Sequence, residues 1–219
     1  MKNLKNALLL KQLYQLKQLG YKYTSVSAYQ ETEPDLTLPN NLYALEKQAK
    51  ECHLCTLSKG RQKVVFGEGN PNAKLMFVGD APSSSDDSAG KIFTGRSGEM
   101  LSNMLENVLK LSRSDVYLTN ILKCKSLVHQ SLSPSHAHTC HPYLLKEISL
   151  VKPDIIITLG DTAYHYLTGD TTAMSQVRGI VQEKEDYTII PTYHPSYLLR
   201  NPSAKKVVLE DLLKIKALI

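Results

Sequence analysis

Four short apolar runs rich in β-branched or aromatic residues recur from Leu75 onward in this 219-residue chain. They are Leu75 to Val78, Val116 to Leu118, Ile155 to Thr158 and Thr188 to Ile190, and each reads as a buried strand. Helical periodicity fills the intervals, over Ser97 to Leu111, Ser135 to Leu150 and Asp161 to Leu167, with a closing helix over Ala204 to Leu218. Strands alternating with helices predict an α/β fold: a central, mainly parallel four-stranded sheet flanked by helices.

In such sheets ligands bind beyond the carboxyl ends of the strands. The residues just past each strand are therefore informative: Gly79-Asp80-Ala81-Pro82, Thr119-Asn120, Leu159-Gly160-Asp161 and Pro191-Thr192-Tyr193-His194-Pro195. Polar groups with hydrogen-bonding and acid/base capacity converge on one rim.

Upstream, Met1 to Leu19 carries leucines at helical spacing with lysines between, and Gly20 is a natural stop. An amphipathic helix is expected over residues 1–20. Its five lysines up to Lys22 meet no acidic residue before Glu31, so it suits a partner, nucleic acid or its own domain. A polar, proline-containing linker over 21–40 comes next, then a domain over 41–219. No uncharged run approaches the ~20 apolar residues of a membrane span, and no cleavable leader pattern is visible, so the expected location is the cytoplasm. The net charge of +5 lowers the cost of approaching a phosphate backbone without proving that the chain does so.

Reduced cytosolic cysteines serve as metal ligands, thiols or core residues more often than as disulfides. Cys52 and Cys55 form a C-x-x-C pair, and Cys124 and Cys140 lie far downstream. Two ligands on one tight turn plus two from distant segments can close a tetrahedral thiolate site. Spacing alone does not separate zinc from an iron-sulfur cluster, or either from buried free thiols.

Around Phe93, glycines 90, 95 and 98 let backbone approach a ligand, and the aromatic can stack on a planar ring or plug the core. Asn120 has an amide that matches the donor and acceptor edge of a pyrimidine, although an asparagine after a strand is also a common turn former. His194, fixed before Pro195, can donate to an oxygen on which negative charge develops.

Taken in order, these segments resemble the family 4 uracil-DNA glycosylases, the iron-sulfur branch of that superfamily. The resemblance spans roughly residues 41–213 and includes Gly67-Glu68-Gly69, Lys123-Cys124, Cys140-His141-Pro142 and His194-Pro195-Ser196 leading into Leu198-Leu199-Arg200. It implies a DNA-repair hydrolase that releases uracil from DNA, with a structural [4Fe-4S] cluster on Cys52, Cys55, Cys124 and Cys140. Asp80 and His194 would be catalytic. Gly79, Ala81, Asp86, Phe93 and Asn120 would bind uracil, Asp86 standing near the residue that excludes the thymine methyl. Ser196, Leu198, Leu199 and Arg200 would contact DNA, a leucine filling the gap left by the flipped nucleotide. A monomer acting on uracil-containing DNA is implied, with a replication or repair protein as a candidate partner of the N-terminal helix.

Two departures from the family pattern stand out. The first motif normally reads Gly-Glu-Ala-Pro-Gly, whereas here Asp80 supplies a shorter carboxylate and Ser83 replaces a glycine, which would be strained if that position needs positive φ. The rival readings are a relative that binds damaged DNA without cutting it, and an iron-sulfur interaction module that recruits replication proteins.

Overall fold

The computed structural model describes residues 37–126 and 133–219. The helix expected over 1–20 and the linker residues up to 36 lie outside them.

Six strands form one sheet in the order β1-β3-β2-β4-β6-β5, with β1 Glu68–Gly69, β2 Leu75–Gly79, β3 Tyr117–Asn120, β4 Ile155–Leu159, β5 Gln182–Glu183 and β6 Thr188–Thr192. The inner four are parallel, as their apolar runs predict. Every residue of β2, β3 and β4 is buried, which requires helices on both faces. The two additional strands are antiparallel edges of two residues each, too short to leave a periodic signal.

Eight α-helices are described: α1 Leu42–Lys50, α2 Ser84–Ala89, α3 Arg96–Met104, α4 Pro134–Val151, α5 Asp161–Thr168, α6 Met174–Val177, α7 Pro195–Arg200 and α8 Lys205–Lys216. The helical pattern that starts near Ser97 ends in a π-turn over Leu105–Leu109, stopped by Lys110 at φ 63°. Alternation along β2 divides the core. Leu75 and Phe77 pack with Leu101, Leu105, Leu198 and Leu212 on one face, while Met76 and Val78 pack with Leu144, Ile148 and Ala163 on the other.

Register then aligns the strand ends. Gly79 lies opposite Asn120, Val78 opposite Thr158, and Leu159 opposite Thr192, so the segments after all four inner strands leave from one rim. Pro191 fits inside β6 because β5 pairs only with Thr188 and Ile189, leaving the site of its missing N–H free of ladder demand.

One polar network is sealed under that rim. Lys123 and Glu147 form an ion pair whose side chains are 3% and 0% exposed. Lys123 Nζ also donates to Thr119 Oγ1 at 2.7 Å and to the Asn120 carbonyl at 2.8 Å. Glu147 Oε1 accepts from Tyr117 Oη at 3.1 Å and from the Gly67 N–H at 3.2 Å. Buried charges are tolerable only when hydrogen-bonded this fully.

Candidate active site and four-cysteine centre

Gly79 ends β2 at the centre of the rim. A Cβ there would lie 2.4 Å from Asn120 Oδ1 and 2.9 Å from Phe93 Cζ, so only glycine lets these two side chains meet over the strand end. Asn120 is 1% exposed, and its Oδ1 has no hydrogen-bond partner among the described residues. A buried acceptor left open in this way can take a donor supplied by a ligand. Phe93 stands beside it, 6% exposed, with its ring centroid 6.1 Å from that of His194.

His194 caps α7. The Ser196 N–H, which can only donate, points at His194 Nδ1 at 3.1 Å. Nδ1 is therefore the unprotonated nitrogen of the neutral ring, and Nε2 carries the hydrogen. Ser196 Oγ adds a second contact to Nδ1 at 2.7 Å. Burial, helped by the charge of Arg200, pushes the His194 pKa down to about 4, so the ring is a neutral donor at physiological pH.

Asp80 enters from the other side of Gly160, whose added Cβ would lie 3.2 Å from His194 Cβ and 3.8 Å from each Asp80 oxygen. Asp80 Oδ1 accepts from the Ala163 N–H in the first turn of α5 at 3.0 Å. Burial raises its pKa to about 7, against the opposing pull of that hydrogen bond, and Asp161 raises it further. A carboxyl poised there exchanges a proton near neutrality.

The structure reassigns three residues. Asp86 is 4% exposed and fully engaged: Oδ2 accepts from the Ser83 N–H at 2.9 Å and Ser83 Oγ at 2.7 Å, and Oδ1 from Thr94 N at 2.7 Å and Thr94 Oγ1 at 2.8 Å. No lone pair is left to face a base, so Asp86 holds the Phe93 loop. Ser83 has φ −75°, which removes the expected strain; it is the N-cap of α2 in a capping box with Asp86. Leu198, expected to contact DNA, is 1% exposed and packs in the core beneath α8. With Pro195 it forms the buried side of α7, whose outer side carries half-buried Ser196 and Leu199 and exposed Arg200. Tyr197, which the sequence did not single out, is 36% exposed and stacks on Tyr193 with centroids 4.7 Å apart and planes 13° from parallel. Ala81 is half-buried on the loop leaving β2.

The cysteines meet in a different place. Cys52, Cys55, Cys124 and Cys140 line one cavity, closed by Ala49 and Tyr143. Among the described residues no group of three or more His, Cys, Asp or Glu side chains gathers as a metal site. Four thiols on one cavity nevertheless suit a thiophilic group. Arg61 bridges the centre, donating from Nη1 to Cys124 Sγ at 3.1 Å and from Nη2 to the Cys52 carbonyl at 2.7 Å, a contact without any motif to announce it. Burial pushes the Cys124 and Cys140 thiols up, a cost that metal coordination would reverse.

A parallel α/β sheet bearing this rim belongs to a known class: the family model described as Uracil DNA glycosylase superfamily matches residues 66–213, and the chain is a member of that superfamily. Within it, the relatives it resembles include several type-4 enzymes. The type-4 uracil-DNA glycosylase of Saccharolobus solfataricus is 37% identical over 81% of this chain and 86% of its own length. That of Thermotoga maritima is 36% identical over 80% and 93%, and that of Sulfurisphaera tokodaii 34% identical over 82% and 85%.

The Asp80 shift has a consequence for stability. In the unfolded chain the carboxyl ionises near 3.8, whereas in the folded protein it holds its proton to about 7. Between those values the folded state binds the extra proton, so this group's contribution to stability falls as pH rises through the window and its penalty is complete above it. Asp80→Asn, which keeps the acceptor for Ala163, should raise the thermal midpoint by a few degrees at pH 8 and leave it unchanged at pH 3.5. Equal midpoints at pH 8 would contradict a buried, protonatable Asp80.

Proposed function

We propose that this chain is a monofunctional DNA-repair glycosylase, hydrolysing the N-glycosidic bond of uracil in DNA to give free uracil and an abasic site. The observation that carries this reading is the open Oδ1 of Asn120, buried between Gly79 and Phe93. Uracil offers an N3–H to such an acceptor, whereas cytosine presents a lone pair at N3 and is repelled. Rotated out of the helix, the base stacks on Phe93.

His194 then donates from Nε2–H to the uracil O2, on which charge grows as the bond between N1 and C1′ breaks. A neutral imidazole suits this task, because it stabilises the anion without surrendering its proton. The electron pair of the broken bond stays on uracil. Asp80, ionised above about pH 7, orients a water toward C1′ and takes its proton as the new C–O bond forms. The buried Lys123 ammonium is committed to Glu147, Thr119 and Asn120, which argues against Lys123 as a nucleophile for strand cleavage.

Cys52, Cys55, Cys124 and Cys140 would hold a [4Fe-4S] cluster, which would cross-link the turn after α1, the loop after β3 and helix α4. Zinc is the alternative occupant. Ser196, Tyr197, Leu199 and Arg200 form the DNA-facing side of α7. The chain acts as a monomer in the cytoplasm, on uracil-containing DNA, and the lysine-rich stretch over residues 1–20 is the part of the sequence that would engage a replication or repair protein. No helix among the described residues is long and apolar enough to cross a membrane.

Release of uracil from a labelled oligonucleotide under single-turnover conditions is the test. Wild type should release it, and Asp80→Asn should slow release by at least the ~10²-fold typical of losing a positioned acid/base group, while binding of uracil-containing DNA persists. Binding without release by wild type would leave a lapsed relative in place of an enzyme. Purified protein should also be brown, with close to four irons per chain; colourless protein with one zinc would overturn the cluster assignment.

A further inference from the structure

Phe93 is one of three non-glycine residues with positive φ among those described, at 52°. A side chain held in that region costs on the order of 1–3 kcal/mol and persists only where its surroundings over-determine it. The surroundings here are identifiable. Gly98 of α3 packs so closely under the Phe93 carbonyl that a Cβ would lie 1.7 Å from its oxygen. On the C-terminal side, Asp86 Oδ1 takes both the N–H and the hydroxyl of Thr94. On the other side stands Arg113, in the loop before β3. Its Nη1 donates to the Phe93 carbonyl at 3.2 Å, and its Nη2 to the Ile92 carbonyl at 2.7 Å. Glu68 of the edge strand β1 anchors the guanidinium, with Oε1 2.6 Å from Nη2.

We propose that Arg113 is a positioning residue for uracil recognition, fixing Phe93 as a rigid stacking platform by clamping two successive main-chain carbonyls. The assignment rests on the reading of Phe93 as the surface on which uracil stacks. The hydrogen bonds of the Arg113 side chain go to Glu68, Ile92 and Phe93 and not to Gly79, Asn120 or His194, so it acts on the ring through the main chain of Ile92 and Phe93. It also explains why a two-residue strand at the sheet edge matters, since pairing of Glu68 with Leu118 sets the anchor's position. A planar fork that spans two carbonyls is a task for arginine, and lysine, with a single ammonium, can serve only one acceptor position well.

A double-mutant cycle tests this, read as binding of free uracil in NMR titrations of the full-length protein, with thermal midpoints recorded in parallel. Phe93→Ala should weaken uracil roughly tenfold or more, as expected for losing one aromatic stack. Arg113→Met should weaken it by about tenfold, and Arg113→Lys by less. In the Phe93→Ala background Arg113→Met should cause no further loss, because its only route is through the missing ring. The side chain of Arg113 is 29% exposed, so the variants should fold; if the methionine variant does not, the lysine variant decides the same cycle. Unchanged uracil binding in Arg113→Met would overturn the proposal whatever its effect on the midpoint, as would independent, multiplying losses in the double variant. Uracil binding unaffected by Phe93→Ala would remove the platform and Arg113's role together. Uracil that binds as described but is never released from DNA would sink the glycosylase reading and leave the Arg113 assignment standing.

Discussion

Asn120 and Phe93 can share the end of β2 only because residue 79 has no side chain, and the site is organised around that contact. The parallel register places Gly79 directly opposite Asn120, so the amide arrives at the centre of the rim with no loop to order. The Lys123 ammonium grips the Asn120 carbonyl from below, and Glu147 holds the ammonium. The amide oxygen is thereby left buried and unpaired while its main chain is fully satisfied. That combination stores binding energy for one ligand donor, since an unmet buried acceptor costs about 1–3 kcal/mol until it is met.

The two titrating groups have been moved in opposite senses by the same cause. Burial holds His194 neutral to about pH 4 and keeps Asp80 protonated to about pH 7. Both groups are thus uncharged between about pH 4 and pH 7, and only Asp80 changes state near neutrality. The aspartate is held by the Ala163 N–H at the start of α5, so the position of its carboxyl is set by where that helix begins.

Much of this was legible in the sequence, for reasons that can be named. The inner strands announced themselves because residues buried on both faces leave continuous apolar runs, and Asp80, Asn120 and His194 drew attention because they stand at or just past the ends of those runs. Edge strands of two residues carry no pattern, so Glu68 could be read only as part of a glycine motif. Asp86 illustrates a second limit: a carboxylate near a pocket looks like a base-reading group until its four hydrogen bonds to Ser83 and Thr94 are seen. Leu198 and Leu199 are adjacent and chemically alike, and only the rotation of α7 sends one to the core and leaves the other half-buried. Arg61 and Arg113 act across 63 and 20 residues of sequence, on sulfur and on main-chain oxygen, and neither contact has a spacing rule.

The central claim, that the open oxygen of Asn120 awaits the N3–H of uracil, can be tested on the unmodified protein by comparing free uracil with 3-methyluracil as inhibitors of uracil release. The methyl group removes the donor and fills the space it would cross. Uracil should inhibit, and 3-methyluracil should be at least tenfold weaker, in keeping with a lost hydrogen bond to a buried acceptor. Equal inhibition by the two would contradict the account.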